Sequence, residues 1–273
     1  MFSELLANVR AAGPLVHNIT NYVTANDCAN LLLACGAWPI MADDARESAE
    51  VTARCGGLHL NLGTLHEGTV PALLASGREA NARGIPVVLD PVGVGVSRFR
   101  QETLARLLGE VRFAVIRGNL SEMRTVASGQ GSGRGVDAGG SDQVTEGTLD
   151  EAAAFAKALS ARTGAVIAMT GAIDVVADAG TAFCIRNGHP IMRRVTGTGC
   201  QLSALTAAFA AANPGRALEA AAAAVCAMGL CGETAHRLLT PEEGNAAYRG
   251  HIIDAMYRLT PEQLEEGARY EMR

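Results

Sequence analysis

The chain has 273 residues, a formal net charge of −5, 48% apolar and 19% charged residues. That length buries a substantial core, the balance is that of a globular α/β protein, and the lack of any basic cluster excludes nucleic acid as the main partner. Lys157 is the only lysine and no glycine-rich loop precedes it, so a G-x-x-x-x-G-K-[ST] phosphate loop is excluded. Any phosphate must be held by arginine and backbone N–H groups.

The seven cysteines are odd in number and contain no C-x-x-C pair. There is no signal-peptide pattern, and apolar runs stop short of the 18 or more residues of a membrane span. Reduced thiols in a cytoplasmic protein follow, most of them as small core residues.

The N-terminal residues 1–10 read as a short amphipathic helix, followed by a strand over 14–19. Cys28, Ala29, Leu32 and Cys35 share one face of a helix over 25–35, with Gly36 as its stop. A short strand over 38–42 ends in Asp43-Asp44, and a helix follows over 46–55. Residues 57–63 alternate between glycines as a strand, and a long helix over 67–83 ends at Gly84.

Ile85-Pro86-Val87-Val88-Leu89 is a continuous apolar run of the kind buried in a parallel sheet. A helix over 99–108, a buried strand over 113–116 and a short helix over 121–127 come next, then a Gly/Ser-rich stretch, 128–142, read as a mobile loop. Thr148-Leu149-Asp150-Glu151 has the pattern of a capping box before a helix over 149–160. A buried strand over 165–169 and a hairpin of 174–177 with 181–185 follow, and the remainder, behind 195–201, is helical. Strands alternating with helices imply βαβ units, a parallel sheet covered on both faces, and one domain over 1–273.

Four strands end in polar or glycine-bearing tips: 18–21, 90–93, Arg117-Gly118-Asn119 with Glu122, and Met169-Thr170-Gly171. Ligands of open parallel sheets bind at the carboxyl ends of strands, so these tips belong to one crevice. Arg117 offers a planar cationic fork for phosphate oxygens. Asp90 and Glu122 offer hard oxygen ligands suited to Mg²⁺ held beside phosphates. An Arg117–Glu122 ion pair and a plain turn at Asp90-Pro91 remain as structural alternatives. Gly93-x-Gly95 lacks the third glycine of a dinucleotide motif, because Arg98 stands there, and no pair of the six histidines has zinc spacing.

Val195-Thr196-Gly197-Thr198-Gly199-Cys200-Gln201 precedes an apolar helical run to Ala212. A helix N-terminus leaves N–H groups unpaired, and glycines let an anion approach them. Taken alone the stretch reads equally as a glycine loop with Thr198 as an ordinary N-cap. Among the strand tips it becomes the anion hole for a transferred phosphoryl group, formed by Gly197, Thr198, Gly199 and Cys200.

These segments resemble the hydroxyethylthiazole kinases, enzymes of thiamine salvage in the ribokinase-like superfamily. The matching residues are His17-Asn18-Ile19-Thr20-Asn21-Tyr22-Val23, Asn26-Asp27-Cys28-Ala29-Asn30, Pro39-Ile40-Met41-Ala42 and Leu89-Asp90-Pro91-Val92-Gly93-Val94-Gly95. Ile116-Arg117-Gly118-Asn119 with Ser121-Glu122, Thr170-Gly171, and 195–201 complete the match, in family order. The resemblance implies a ribokinase-like three-layer α/β/α fold around a mostly parallel sheet. It implies ATP- and Mg²⁺-dependent phosphorylation of the primary alcohol of 4-methyl-5-(2-hydroxyethyl)thiazole. The alternative is a kinase of a hydroxymethylpyrimidine or pyridoxal type, which usually carries Asp where this chain has Cys200.

By the same resemblance Arg117 and Thr170 contact ATP, Asn21 and Thr196 lie near its phosphates, and Met41 and Gly197 contact the thiazole. Asp90 and Glu122 hold or orient the metal, and the chain forms a homotrimer with active sites between subunits. Asp43-Asp44 departs from the histidine that family members carry there. A thiol at a helix N-terminus is open to a lowered pKa and a role as thiolate base, or to mere positioning. The expectation is a modest contribution from Cys200.

Overall fold

The computed structural model describes residues 1–129 and 144–273, so most of the 128–142 loop lies outside the described residues. The first half alternates as expected: α1 (Phe2–Ala12), β1 (Leu15–Ile19), α2 (Ala25–Cys35), β2 (Trp38–Met41), α3 (Ser48–Thr52), β3 (Gly57–Asn61), α4 (Thr69–Arg83) and β4 (Val87–Asp90). Next come α5 (Arg98–Glu110), β5 (Val115–Asn119), α6 (Leu120–Ser128), α7 (Leu149–Thr163), β6 (Val166–Thr170), and the hairpin of β7 (Asp174–Ala177) and β8 (Ala182–Ile185). The chain closes with α8 (Thr198–Ala212), α9 (Ala217–Leu238), α10 (Asn245–Arg258), α11 (Pro261–Gly267) and β9 (Tyr270–Met272).

Among the described residues, the nine strands join one sheet in the order β2-β1-β3-β4-β5-β6-β7-β8-β9. The first six run parallel and the last three antiparallel. Side chains alternate across the sheet: Val88 and Val115 pack under α1, α2, α8 and α9, whereas Val87, Leu89 and Ile116 pack under α4, α5 and α7. A three-layer α/β/α arrangement results, with a mostly parallel sheet buried on both faces.

Three features differ from the sequence reading. Tyr270-Glu271-Met272 is too short to show a period, yet it forms β9 because its backbone pairs with β8 and the Tyr270 ring packs on Phe2 and Phe183, at 5.0 and 5.4 Å between centroids. The capping box lies three residues early: Thr145 and Thr148 cap a 3-10 turn over Glu146–Thr148, and Thr148 gives α7 no side-chain cap. Finally, α9 is long and apolar enough to cross a membrane by length and composition. Two-thirds of that window is buried against the protein's own helices, so α9 is a core helix. All seven cysteines are buried and unbridged.

Candidate active site

Six parallel strands end along one edge of the sheet, carrying Met41, Asn18, Asn61, Asp90, Arg117 and Thr170 in spatial order. Register sets this line: Asn18 pairs with Met41, Asn61 with Asp90, and Asn119 with Thr170. Five strand gaps of about 4.8 Å separate the Met41 end from the Thr170 end by roughly 24 Å. The line is long enough for a small alcohol at one end and a nucleotide at the other.

The helix α8 points its N-terminus at the middle of that line and packs on β1, β3 and β4. Its N-cap is Gly197 at φ +87°, and a Cβ there would overlap Thr24 Cγ2. The N-cap is therefore Gly197, not Thr198, which is the first helical residue. Gln201 N donates to Gly197 O at 2.9 Å, while the amides of Thr198, Gly199 and Cys200 donate to no acceptor among the described residues. A Cβ on Gly199 would overlap the Arg117 guanidinium, so that side chain rests directly against the first turn.

Arg117, 11% exposed, donates Nη2 to Thr170 Oγ1 at 2.7 Å and lies 3.7 Å from Asp90 Oδ2 through Nη1. The Arg117–Glu122 ion-pair alternative is not what forms. Glu122 instead spans two strand tips, Oε1 accepting from Gly93 N at 2.9 Å and Oε2 from Asn119 N at 2.8 Å. Burial, then the nearby Asp90 charge, push Glu122 up to about 7. Asp90 is fully buried and raised by that burial against the pull of Arg117, Ser203 and Asn61. Its Oδ2 accepts from Asn61 Nδ2 at 3.0 Å and Ser203 Oγ at 2.8 Å, whereas Oδ1 is buried without a partner. Asp174 steadies Gly171 N at 2.8 Å beyond Thr170, and burial pushes it up to about 7.

Of the two readings of Cys200, thiolate base or positioning residue, its surroundings favour the second. Burial, then the Asp90 charge, push its thiol up to about 11, so it is protonated at neutral pH. Asn21 Nδ2 and Asn61 Nδ2 nevertheless both point at Sγ, from 3.2 and 3.3 Å.

On the far side of Asn61 lies a cavity of about 200 Å³, lined in part by Asn18, Tyr22, Met41, Asp43, Thr64 and His66. Thr64 forms its wall with φ +46°, a strained conformation for a β-branched residue. Of the sequence-predicted residues, Asn21, Asp90, Arg117, Thr170, Gly197, Thr198, Gly199 and Cys200 come together, with Glu122 behind Gly118 and Met41 across the cavity. Thr196 sits exposed in the turn. His17 and His59 are structural, His17 bonding Thr52 and Ala42 and His59 bonding Asn18.

The sequence reading missed Asn61, Ser203 and Thr24. A polar residue at the carboxyl end of a buried strand was the available signal for Asn61. For Ser203 it was the i, i+3 spacing from Cys200, which puts both on one helix face.

The Hydroxyethylthiazole kinase family profile matches residues 6–262. A hydroxyethylthiazole kinase of Clostridium acetobutylicum is 55% identical over 271 residues, covering 99% of each chain. The solved structure of a hydroxyethylthiazole kinase protein from Pyrococcus horikoshii matches with a TM-score of 0.88 at 32% identity, covering 100% of this chain and 98% of the other. A ribokinase-like superfamily protein from Enterococcus faecalis shares the fold at a TM-score of 0.63 and 14% identity, covering 94% and 89%. On sequence and fold alike, the chain belongs to the hydroxyethylthiazole kinase family.

Proposed function

We propose that the protein transfers the γ-phosphoryl group of ATP to the primary alcohol of 4-methyl-5-(2-hydroxyethyl)thiazole, as a step of thiamine salvage. The observation that carries this reading is Arg117 seated against the open first turn of α8, between a small cavity and the Thr170 tip. Phosphoryl transfer needs positioning and charge stabilisation more than covalent chemistry, and this arrangement supplies both.

Arg117, fixed by Thr170, and the free amides of Thr198, Gly199 and Cys200 receive the charge of the transferred group. Asn21 faces the same space, and Thr196 flanks it from the turn. Met41, on the cavity wall, offers a soft apolar contact to the thiazole ring, and the backbone of Gly197 is the second contact to it. The attacking hydroxyl then lies beside Cys200, whose protonated thiol positions it and takes at most a minor share in moving its proton.

The residues fit Mg²⁺. Asp90 Oδ1 is an unpartnered buried acceptor, and no group of three or more His, Cys, Asp or Glu among the described residues is placed to hold a metal alone. A cation held by one carboxylate, with phosphates and water completing its shell, matches that donor set. Glu122 has both oxygens on backbone amides and orients the two tips around Asp90 rather than ligating directly. When bound, the cation neutralises charge on the phosphates.

The active assembly is a homotrimer in the cytoplasm. In support, β2 is an open sheet edge bearing Trp38 and Met41, 61% and 38% exposed, beside Tyr22 at 82%. Met41 and Tyr22 also line the cavity, so a second copy on this edge would close it. Incubation with MgATP and the thiazole alcohol tests the function: ADP should form only when both are present. ADP formed with a hydroxymethylpyrimidine or pyridoxal alcohol alone would overturn it.

A further inference from the structure

The amide of Asn61 joins Asn21, Gly63, Asp90 and Cys200 at the centre of the site. Its orientation follows from its neighbours. Thr24 donates both its backbone N and its Oγ1 to Asn21 Oδ1, each at 3.1 Å, which turns the Asn21 NH₂ toward Asn61 Oδ1 at 3.1 Å. Asn61 Oδ1 also accepts from Gly63 N at 2.8 Å. The Asn61 NH₂ must therefore face Asp90 Oδ2, at 3.0 Å, and Cys200 Sγ, at 3.3 Å. A flip of either amide would set NH₂ against N–H or O–H donors with nothing buried to accept them.

We infer that Asn61 is a positioning residue for phosphoryl transfer, coupling Asp90 to Cys200 through a single NH₂ group. This rests on the reading of the site given under Proposed function. Two amide N–H groups, one from Asn21 and one from Asn61, converge on one sulfur. Hydrogen bonds donated to a sulfur favour its ionised form, opposing the burial and the Asp90 charge that hold the proton on. Asn61 also stands as a neutral donor between Asp90 and the thiol, where a carboxylate of the same shape would face Asp90 as a like charge. A residue that merely tied strand tips together would act independently of Cys200.

The test is a double-mutant cycle of Asn61→Asp with Cys200→Ala, together with the pH dependence of Cys200 alkylation by iodoacetamide, followed by peptide mass spectrometry without substrates. Asn61→Asp should lower kcat about tenfold with little change in the KM for ATP, and the loss should shrink at least about threefold in the Cys200→Ala background. The alkylation midpoint of Cys200 should rise by about one pH unit or more, because an N–H donor to the thiolate is gone. Should Asn61→Asp fail to fold, Asn61→Ala removes the donor without adding charge and should shift alkylation in the same direction. Equal losses of kcat in both backgrounds, or an unshifted alkylation midpoint, overturn the inference. Alkylation requires no turnover, so a shifted midpoint in a protein that leaves the thiazole alcohol unphosphorylated sinks the proposed function and not the coupling.

Discussion

The Arg117 guanidinium fills the space where a side chain on Gly199 would stand, so the cation and the first turn of α8 pack as one unit, the one we propose receives the transferred phosphoryl group. Gly199→Ala should push Arg117 away from that turn while leaving the helix intact. A misplacement of about 1 Å in such a unit costs on the order of 10²-fold in turnover. We expect that loss in kcat/KM, with circular dichroism and Tm close to the parent. Near-parental kinetics would show that Arg117 and the turn work separately.

Cys200 should be dispensable for turnover, though not without effect. A full general base contributes about 10²- to 10⁴-fold. A thiol held up at about 11 does less, so Cys200→Ala should lose about tenfold in kcat and keep its ATP affinity. An inactive variant that still binds ATP would assign the proton transfer to the thiol.

Glu122 predicts a pH response with opposite signs for activity and stability. Its folded-state pKa of about 7 lies above the ordinary carboxylate range. Its contribution to folding is therefore fully present below that range and is lost as pH rises through about 7. Activity runs the other way, because the ionised carboxylate is the better acceptor for Gly93 N and Asn119 N. kcat/KM should rise with a midpoint near 7, and Glu122→Gln should flatten the rise at a cost of about 1–3 kcal/mol in stability. Asp174→Asn separates the other carboxyl held near 7. A limb that survives Glu122→Gln and vanishes in Asp174→Asn reassigns it.

The exposed edge strand leads to an assembly prediction. Trp38→Arg should convert a trimer to monomers by light scattering, since a charge replaces the largest apolar side chain on β2. Its KM for the thiazole alcohol should rise as the cavity opens, with the ATP end less affected. An unchanged mass would place the subunit contact elsewhere.

Thr64 stores backbone strain in the cavity wall. Thr64→Gly should relieve it, a gain of up to about 1 kcal/mol after the added chain entropy of glycine. It should also raise the KM for the thiazole alcohol, because the wall is no longer held. A variant less stable than the parent would show that φ +46° carries no net strain.

Much of this fold was legible because its signals are local. The face of Cys28, Ala29, Leu32 and Cys35 marked α2, the run from Val87 to Leu89 marked β4, and glycines marked helix ends. Polar tips after apolar strands located most of the crevice. The role of Asn61 was not legible, since nothing within a few residues of it reveals that Asp90 is its strand neighbour and that Asn21 and Cys200 converge on its amide.

The amino-acid order by itself determined the α/β alternation, the strand tips, the missing P-loop lysine and the T-G-T-G-C turn, all of which follow from periodicity and residue chemistry along the chain. Only the tertiary structure decided that Arg117 turns to Asp90 and Thr170 while Glu122 latches two backbone amides. It likewise decided that Cys200 keeps its proton, because burial and the Asp90 charge outweigh the donors aimed at the sulfur. Desolvation and Coulomb interactions depend on distance in space, and separations of 110 residues or more along the chain, as between Asp90 and Cys200, carry no trace of it.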